Sequence, residues 1–266
     1  MTDPNFPQTR RIPNLFHLLL FLAITFFSFL LSESILAALH PNAISAALQN
    51  QRLQLFSNIG TYTLAIAGSV LIFPLLWNRS FAAGISWNPH NAKTVFLPIG
   101  LALGVLSQAV STLLPIPKSS PIEKIFQTPG IIWILAVFGT LIAPLFEEIV
   151  FRGLLLPALA IAVDYLRLPK SIDALDAWRA SDSFSLPALI TSSILTSLLF
   201  AAIHAPQLGF SWPAVALLAI VSLVLCYIRL RTRSVAASTL THAAYNLSVF
   251  LTLFVQTGGF RHMDRL

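Results

Sequence analysis

Charge and cysteine are what this chain has least of. Only 10% of its 266 residues are Asp, Glu, Lys or Arg, where a soluble domain carries about 25%. So few charges cannot cover a water-facing shell, and with a mean hydropathy of +0.79 an ordinary soluble domain is excluded. The single cysteine, Cys226, rules out an internal disulfide. It lies in an apolar run and reads as a small hydrophobe. Sixteen Lys and Arg against ten Asp and Glu leave a net charge of +6. That excess does not point to nucleic acid, because the cations fall mostly between apolar runs, where they set topology and meet anionic lipid. Internal repeats, low-complexity segments and flexible linkers are also missing. What remains is an all-α polytopic integral membrane protein.

The apolar runs, each near the ~20 residues a bilayer needs, predict a bundle of seven or eight transmembrane helices. Asn14 to Ala38 is the first, with an apolar core too long for a signal peptide. Ile59 to Trp77 is the second, and Val95 to Leu114 the third. A short amphipathic helix is expected at Ile44 to Phe56, and Pro115, Pro117, Pro121 and Pro129 break the chain before the fourth run, Ile131 to Val163. Asp164 to Ser183 reads as the clearest extramembrane loop. Leu186 to Ile203, Trp212 to Leu230 and Val235 to Val255 complete the set. The expected division is 1–129 as an N-terminal membrane region of about three spans, 130–256 as a core of about four, and 257–266 as a short polar tail. With the N-terminus inside, seven spans put ten Lys and Arg on the inner side (Arg10, Arg11, Arg79, Lys93, Arg167, Lys170, Arg179, Arg229, Arg231, Arg233). The outer side holds five (Arg52, Lys118, Lys124, Arg261, Arg265). The positive-inside rule favours that orientation.

Against this apolar background, Glu147, Glu148 and Arg152 stand out in the fourth run. A charge at the bilayer centre costs about 2.5–3.5 kcal/mol on insertion scales, and intramembrane ionisable groups are functional candidates by default. Glu148 and Arg152 are i and i+4 with Glu first, so the pair can neutralise itself. Glu147 projects about 100° away and needs a distant partner. Glu33 lies near a helix end, where a carboxylate is tolerated. Two histidines lie in late spans: Phe200 and His204 share one helix face, and His242 and Asn246 another. Alone, His204 reads as a satisfied terminal histidine, His242 and Asn246 as interhelical glue, and Phe200 as core. Together with Glu147 they suit a divalent metal such as zinc, with Glu147, His204 and His242 as ligands and an open position for water. They equally suit a Glu base activating water directly, with His and Asn stabilising an oxyanion.

Glu-Glu-x-x-x-Arg (Glu147, Glu148, Arg152), Phe-x-x-x-His (Phe200, His204) and His-x-x-x-Asn (His242, Asn246), in this order and each late in an apolar span, resemble the CPBP family. These are the CAAX proteases and bacteriocin-processing enzymes, also called Abi. The strings EEIVFRGLLLP and LLFAAIHAP, and the Arg-rich turn before THAAYN, share that resemblance, which covers roughly residues 130–250. It implies a glutamate-dependent endopeptidase, often described as a metalloprotease, with its active-site cavity inside the membrane. The substrate would be a membrane-associated peptide or protein, lipidated or not, and the location a bacterial cytoplasmic (inner) membrane. It implies Glu147 as the base on the attacking water and Glu148 and Arg152 as its support. His204, His242 and Asn246 would bind metal or stabilise the oxyanion.

Two other classes use the same residue types: a proton-coupled transporter, and a non-catalytic immunity or scaffold protein of the same fold. No inverted repeat supports the first, and an intact Glu147 with both histidines argues against the second. Simple alternation of spans also poses a difficulty. It puts His204 near the outer end of the fifth span and His242 in the inner half of the seventh, whereas one site needs them at one depth.

Overall fold

The computed structural model describes residues 11–39, 51–116, 131–181 and 183–262. Among them there is no strand. The fold is carried by eight helices: α1 (Leu15–Leu39), α2 (Gln51–Trp77), α3 (Phe96–Ser111), α4 (Ile132–Arg167), α5 (Ile172–Ala180), α6 (Leu186–His204), α7 (Trp212–Thr232) and α8 (Val235–Gln256). Five of them, α1, α2, α4, α6 and α7, are long and apolar enough to cross a membrane. The chain is a multi-pass membrane protein. α3 is shorter than the expected Val95 to Leu114, at 16 residues. α8 is 22 residues long but interleaves Ser238, Thr241, His242, Asn246 and Ser248, and is not among the five. Most of the expected amphipathic segment at 44–56, the prolines at 117, 121 and 129, and the end of the tail lie outside the described residues.

The expected loop at 164–183 needs correction. α4 runs on through Arg167, and Asp164 is a buried member of its last turns. Its carboxylate has a reason to be there: Arg11 Nη1 lies 3.6 Å from Oδ2, and the Ser185 backbone N–H donates to both oxygens. Arg11 also donates from Nε to the Trp178 carbonyl at 3.1 Å, and its guanidinium lies over the Trp178 ring. The stretch between α4 and α6 therefore carries a short helix, α5, capped by Ser171 and tied to the segment before α1.

The length of α4 removes the depth difficulty. Its 36 residues rise about 54 Å, far more than a single ~30 Å crossing. Glu147 lies 20 residues before Arg167, and His204 lies 18 residues after Leu186. α6 starts where α4 ends and runs back along it, so its last residue reaches the level of Glu147 inside the bundle.

Two packing features hold the site's walls. Phe21, Phe73, Trp77 and Phe81 from the N-terminal half form one buried cluster with Phe146, Phe151 and Phe200. α8 packs most closely on α3, where Gly100 and Gly104 face it. A Cβ at 100 would sit 2.2 Å from the Thr241 carbonyl oxygen, and one at 104 only 1.9 Å from Ser248 Oγ. This is the small-x-x-x-small contact that lets membrane helices approach backbone to backbone. Gly104→Val should therefore push α8 off α3 and cost about 1–3 kcal/mol, as overpacking does. Thermal unfolding in detergent micelles measures it, and an unchanged midpoint would show that α3 does not position α8.

Candidate active site

The site begins with the backbone of α4, which is not uniform. Two π-helical stretches, Phe138–Ile142 and Ile149–Leu155, bracket the α-helical turn Ala143–Glu148 that carries both carboxylates. Each is followed within two residues by a proline, Pro144 and Pro157. Proline has no N–H for the preceding turn and crowds the carbonyl four residues back. Widening the helix to i→i+5 pairing relieves that crowding, and such bulges recur at functional sites. In the first stretch the Ala143 N–H pairs with the Phe138 carbonyl. The next pairing in that register would join residue 144 to the Gly139 carbonyl, and Pro144 cannot supply it. Asn246 does so instead, its Nδ2 donating to Gly139 O at 2.7 Å.

Glu148 and Arg152 pair as their spacing requires. Nη1 donates to Oε1 at 2.7 Å, and both side chains are 0% exposed. Arg152 Nη2 donates to the Ser222 carbonyl at 3.0 Å and to its hydroxyl at 2.6 Å. The guanidinium lies 4.8 Å from the centroid of Phe200. Phe200 is thus more than core. The same ring is 4.5 Å from His204, 5.8 Å from His242 and edge-on to Phe151 at 5.0 Å. The residues on α7 that serve the pair had no sequence signal beyond a serine in an apolar run.

Glu147 turns to the other side of α4. His204 Nε2 is 3.9 Å from its Oε1, and His242 Nε2 is 3.7 Å from its Oε2. The Glu147 and His204 side chains are 18% and 17% exposed, so the cluster is reachable while Glu148 is sealed. The far nitrogens of both rings are occupied. His204 Nδ1 is 2.7 Å from the Phe200 carbonyl, which can only accept, so this nitrogen carries the hydrogen. His242 Nδ1 is 3.0 Å from Glu148 Oε1, which already accepts from Arg152, so it donates as well. In the neutral rings both Nε2 lone pairs then face the Glu147 carboxylate across a gap longer than a hydrogen bond. Such a gap suits a water, a proton or a cation between them.

Among the described residues no three His, Cys, Asp or Glu side chains already close on a point where a metal would sit. The donor chemistry does fit one. Two neutral imidazoles and a carboxylate are a zinc set. A ligating His characteristically gives its other N–H to a carboxylate or a backbone carbonyl, which both histidines do here. Asn246 is not drawn into this cluster by its amide nitrogen, one hydrogen of which is committed to Gly139.

A helical membrane bundle with a reachable carboxylate between two oriented imidazoles, backed by a sealed ion pair, has the makings of a membrane-embedded hydrolase. Residues 129–248, just under half the chain, match the family described as Type II CAAX prenyl endopeptidase Rce1-like. The match runs from just before α4 into α8, and over that stretch the chain is similar to a family of CAAX-type proteases. No curated protein and no solved structure matches the chain.

The two carboxylates should respond differently to neutralisation. Arg152→Ala or Glu148→Gln leaves a fully buried partner unpaired, and the expected loss is about 3–5 kcal/mol. Glu147→Gln leaves no buried charge stranded and should keep the wild-type unfolding midpoint. Thermal unfolding of the three purified variants measures this, and equal destabilisation in all three would show Glu147 to be structural.

Proposed function

We propose that the chain is an intramembrane endopeptidase in which Glu147 is the general base. The observation that supports this reading is the facing of both histidine Nε2 atoms toward Glu147, with each ring's other nitrogen tied back. A water seated against Glu147 gives its proton to the carboxylate and adds to the scissile carbonyl carbon. The tetrahedral intermediate then collapses, the proton passes to the leaving amine, and a new carboxyl and a new amine are released. Balanced over the cycle, one water is consumed and Glu147 is restored. Glu148 and Arg152 do not touch the reacting atoms in this scheme. They fix the His242 ring through Nδ1 and hold α4, α6 and α7 around it. Residues 130–256 form the catalytic core.

A divalent metal such as zinc would be held by Glu147, His204 and His242, and when bound it supplies Lewis acidity and a more acidic water. The substrate is a peptide or protein at the membrane. The matched family's description, a prenyl endopeptidase, makes lipidated C-terminal peptides the first to test.

Purified protein in bilayers should cleave such a peptide, and Glu147→Gln should lower the rate at least 1,000-fold, given the ~10²–10⁴-fold worth of general base catalysis and the loss of the group that seats the water. The measurement is product formation by mass spectrometry beside a folding control. Cleavage by Glu147→Gln at the wild-type rate would refute the assignment.

A further inference from the structure

We propose that Tyr62, on α2, is a further catalytic residue of this site: its hydroxyl donates a hydrogen bond to the oxyanion of the tetrahedral intermediate. The inference rests on the endopeptidase reading above and adds a residue outside the stretch that the family match covers.

Three observations carry it. The Tyr62 ring lies flat on Phe146, the residue immediately before Glu147, with centroids 3.8 Å apart and planes within 1°. Its other neighbour is Phe138, in the first π-helical stretch, at 5.8 Å. Two contacts fix the ring to the part of α4 that bears the carboxylates, so the phenol keeps a constant place relative to Glu147. Secondly, Tyr62 is partly exposed, as Glu147 and His204 are, and unlike the sealed Glu148 and Arg152. Thirdly, the site needs a donor. Asn246 has given one amide hydrogen to Gly139, and both histidines have given their Nδ1 hydrogens to Phe200 and Glu148. Tyr62 is an O–H donor on the N-terminal half whose ring is held against this turn.

In the step concerned, water adds to the carbonyl carbon as Glu147 takes its proton. The π bond's electrons move to the carbonyl oxygen. The Tyr62 hydroxyl donates to that oxygen without giving up its proton, and returns to its resting state on collapse. Donors of this kind are worth more to the transition state than to the ground state.

Tyr62→Phe keeps both ring contacts and removes only the hydroxyl, which separates catalysis from packing. The expected result is a kcat about 100-fold below wild type, in the range for loss of one oxyanion donor, with KM and unfolding midpoint unchanged. A phosphinate peptide mimicking the tetrahedral intermediate should lose affinity by a similar factor, while the product peptide binds as before. Wild-type kcat in Tyr62→Phe, or equal weakening of phosphinate and product, would overturn the proposal. Glu147→Gln run alongside keeps the two readings apart. Dead Glu147→Gln with active Tyr62→Phe overturns this inference alone, whereas cleavage in both, or in neither variant nor wild type, overturns the protease reading with it.

Discussion

The ion pair between Glu148 and Arg152 is the constraint on which the rest of the bundle depends. Two charges with no exposure inside an apolar assembly are tolerable only if each finds its partners there. They find them on three other helices: Ser222 on α7, the Phe200 ring on α6 and His242 on α8. One pair thus ties four helices to a common point. The cost of burying it is offset only in the assembled state, so the pair selects that assembly over alternative packings of similarly greasy helices. It also sets a direction. By taking the Nδ1 hydrogen of His242, Glu148 determines which nitrogen faces Glu147.

Adjacent glutamates can therefore hold separate tasks. The ~100° between successive residues of a helix sends one carboxylate into a sealed pocket, where Arg152 and His242 hold its Oε1, and the other to a reachable gap between imidazoles. Phe200 borders both environments, with the Arg152 guanidinium 4.8 Å from its centroid and His204 4.5 Å from it. The N-terminal half contributes through the same aromatic cluster, from Phe21 and Phe73 to Phe146, which makes α1 and α2 part of the site's wall.

Much of this was legible in the sequence because it follows from helix spacing. The i,i+4 relation predicts the contact of Glu148 with Arg152 and leaves Glu147 over. The same relation puts His204 against its own Phe200. The meeting of Glu147 with two histidines followed from the cost of an unpaired charge. What spacing did not reveal depends on three-dimensional fit. The π-helical stretches shift the register of α4 at positions only a proline hints at. The depth of His204 follows from the length of α4, which a hydropathy reading cut at Asp164 because the buried salt partner, Arg11, is 153 residues away. Tyr62 is one tyrosine in an ordinary span. Gly100 and Gly104 did carry a readable signal, the four-residue spacing of small residues, in a run that otherwise looked undistinguished.

The bond from Asn246 to Gly139 has a consequence for how this sequence can vary. It exists because Pro144 leaves a carbonyl without its backbone donor. A residue with an N–H at 144 would compete with the amide of Asn246 for that oxygen, and the loser of the competition would be the side chain. Positions 144 and 246, on different helices and more than a hundred residues apart, are therefore one epistatic unit: the tolerance of either to change is set by the occupant of the other.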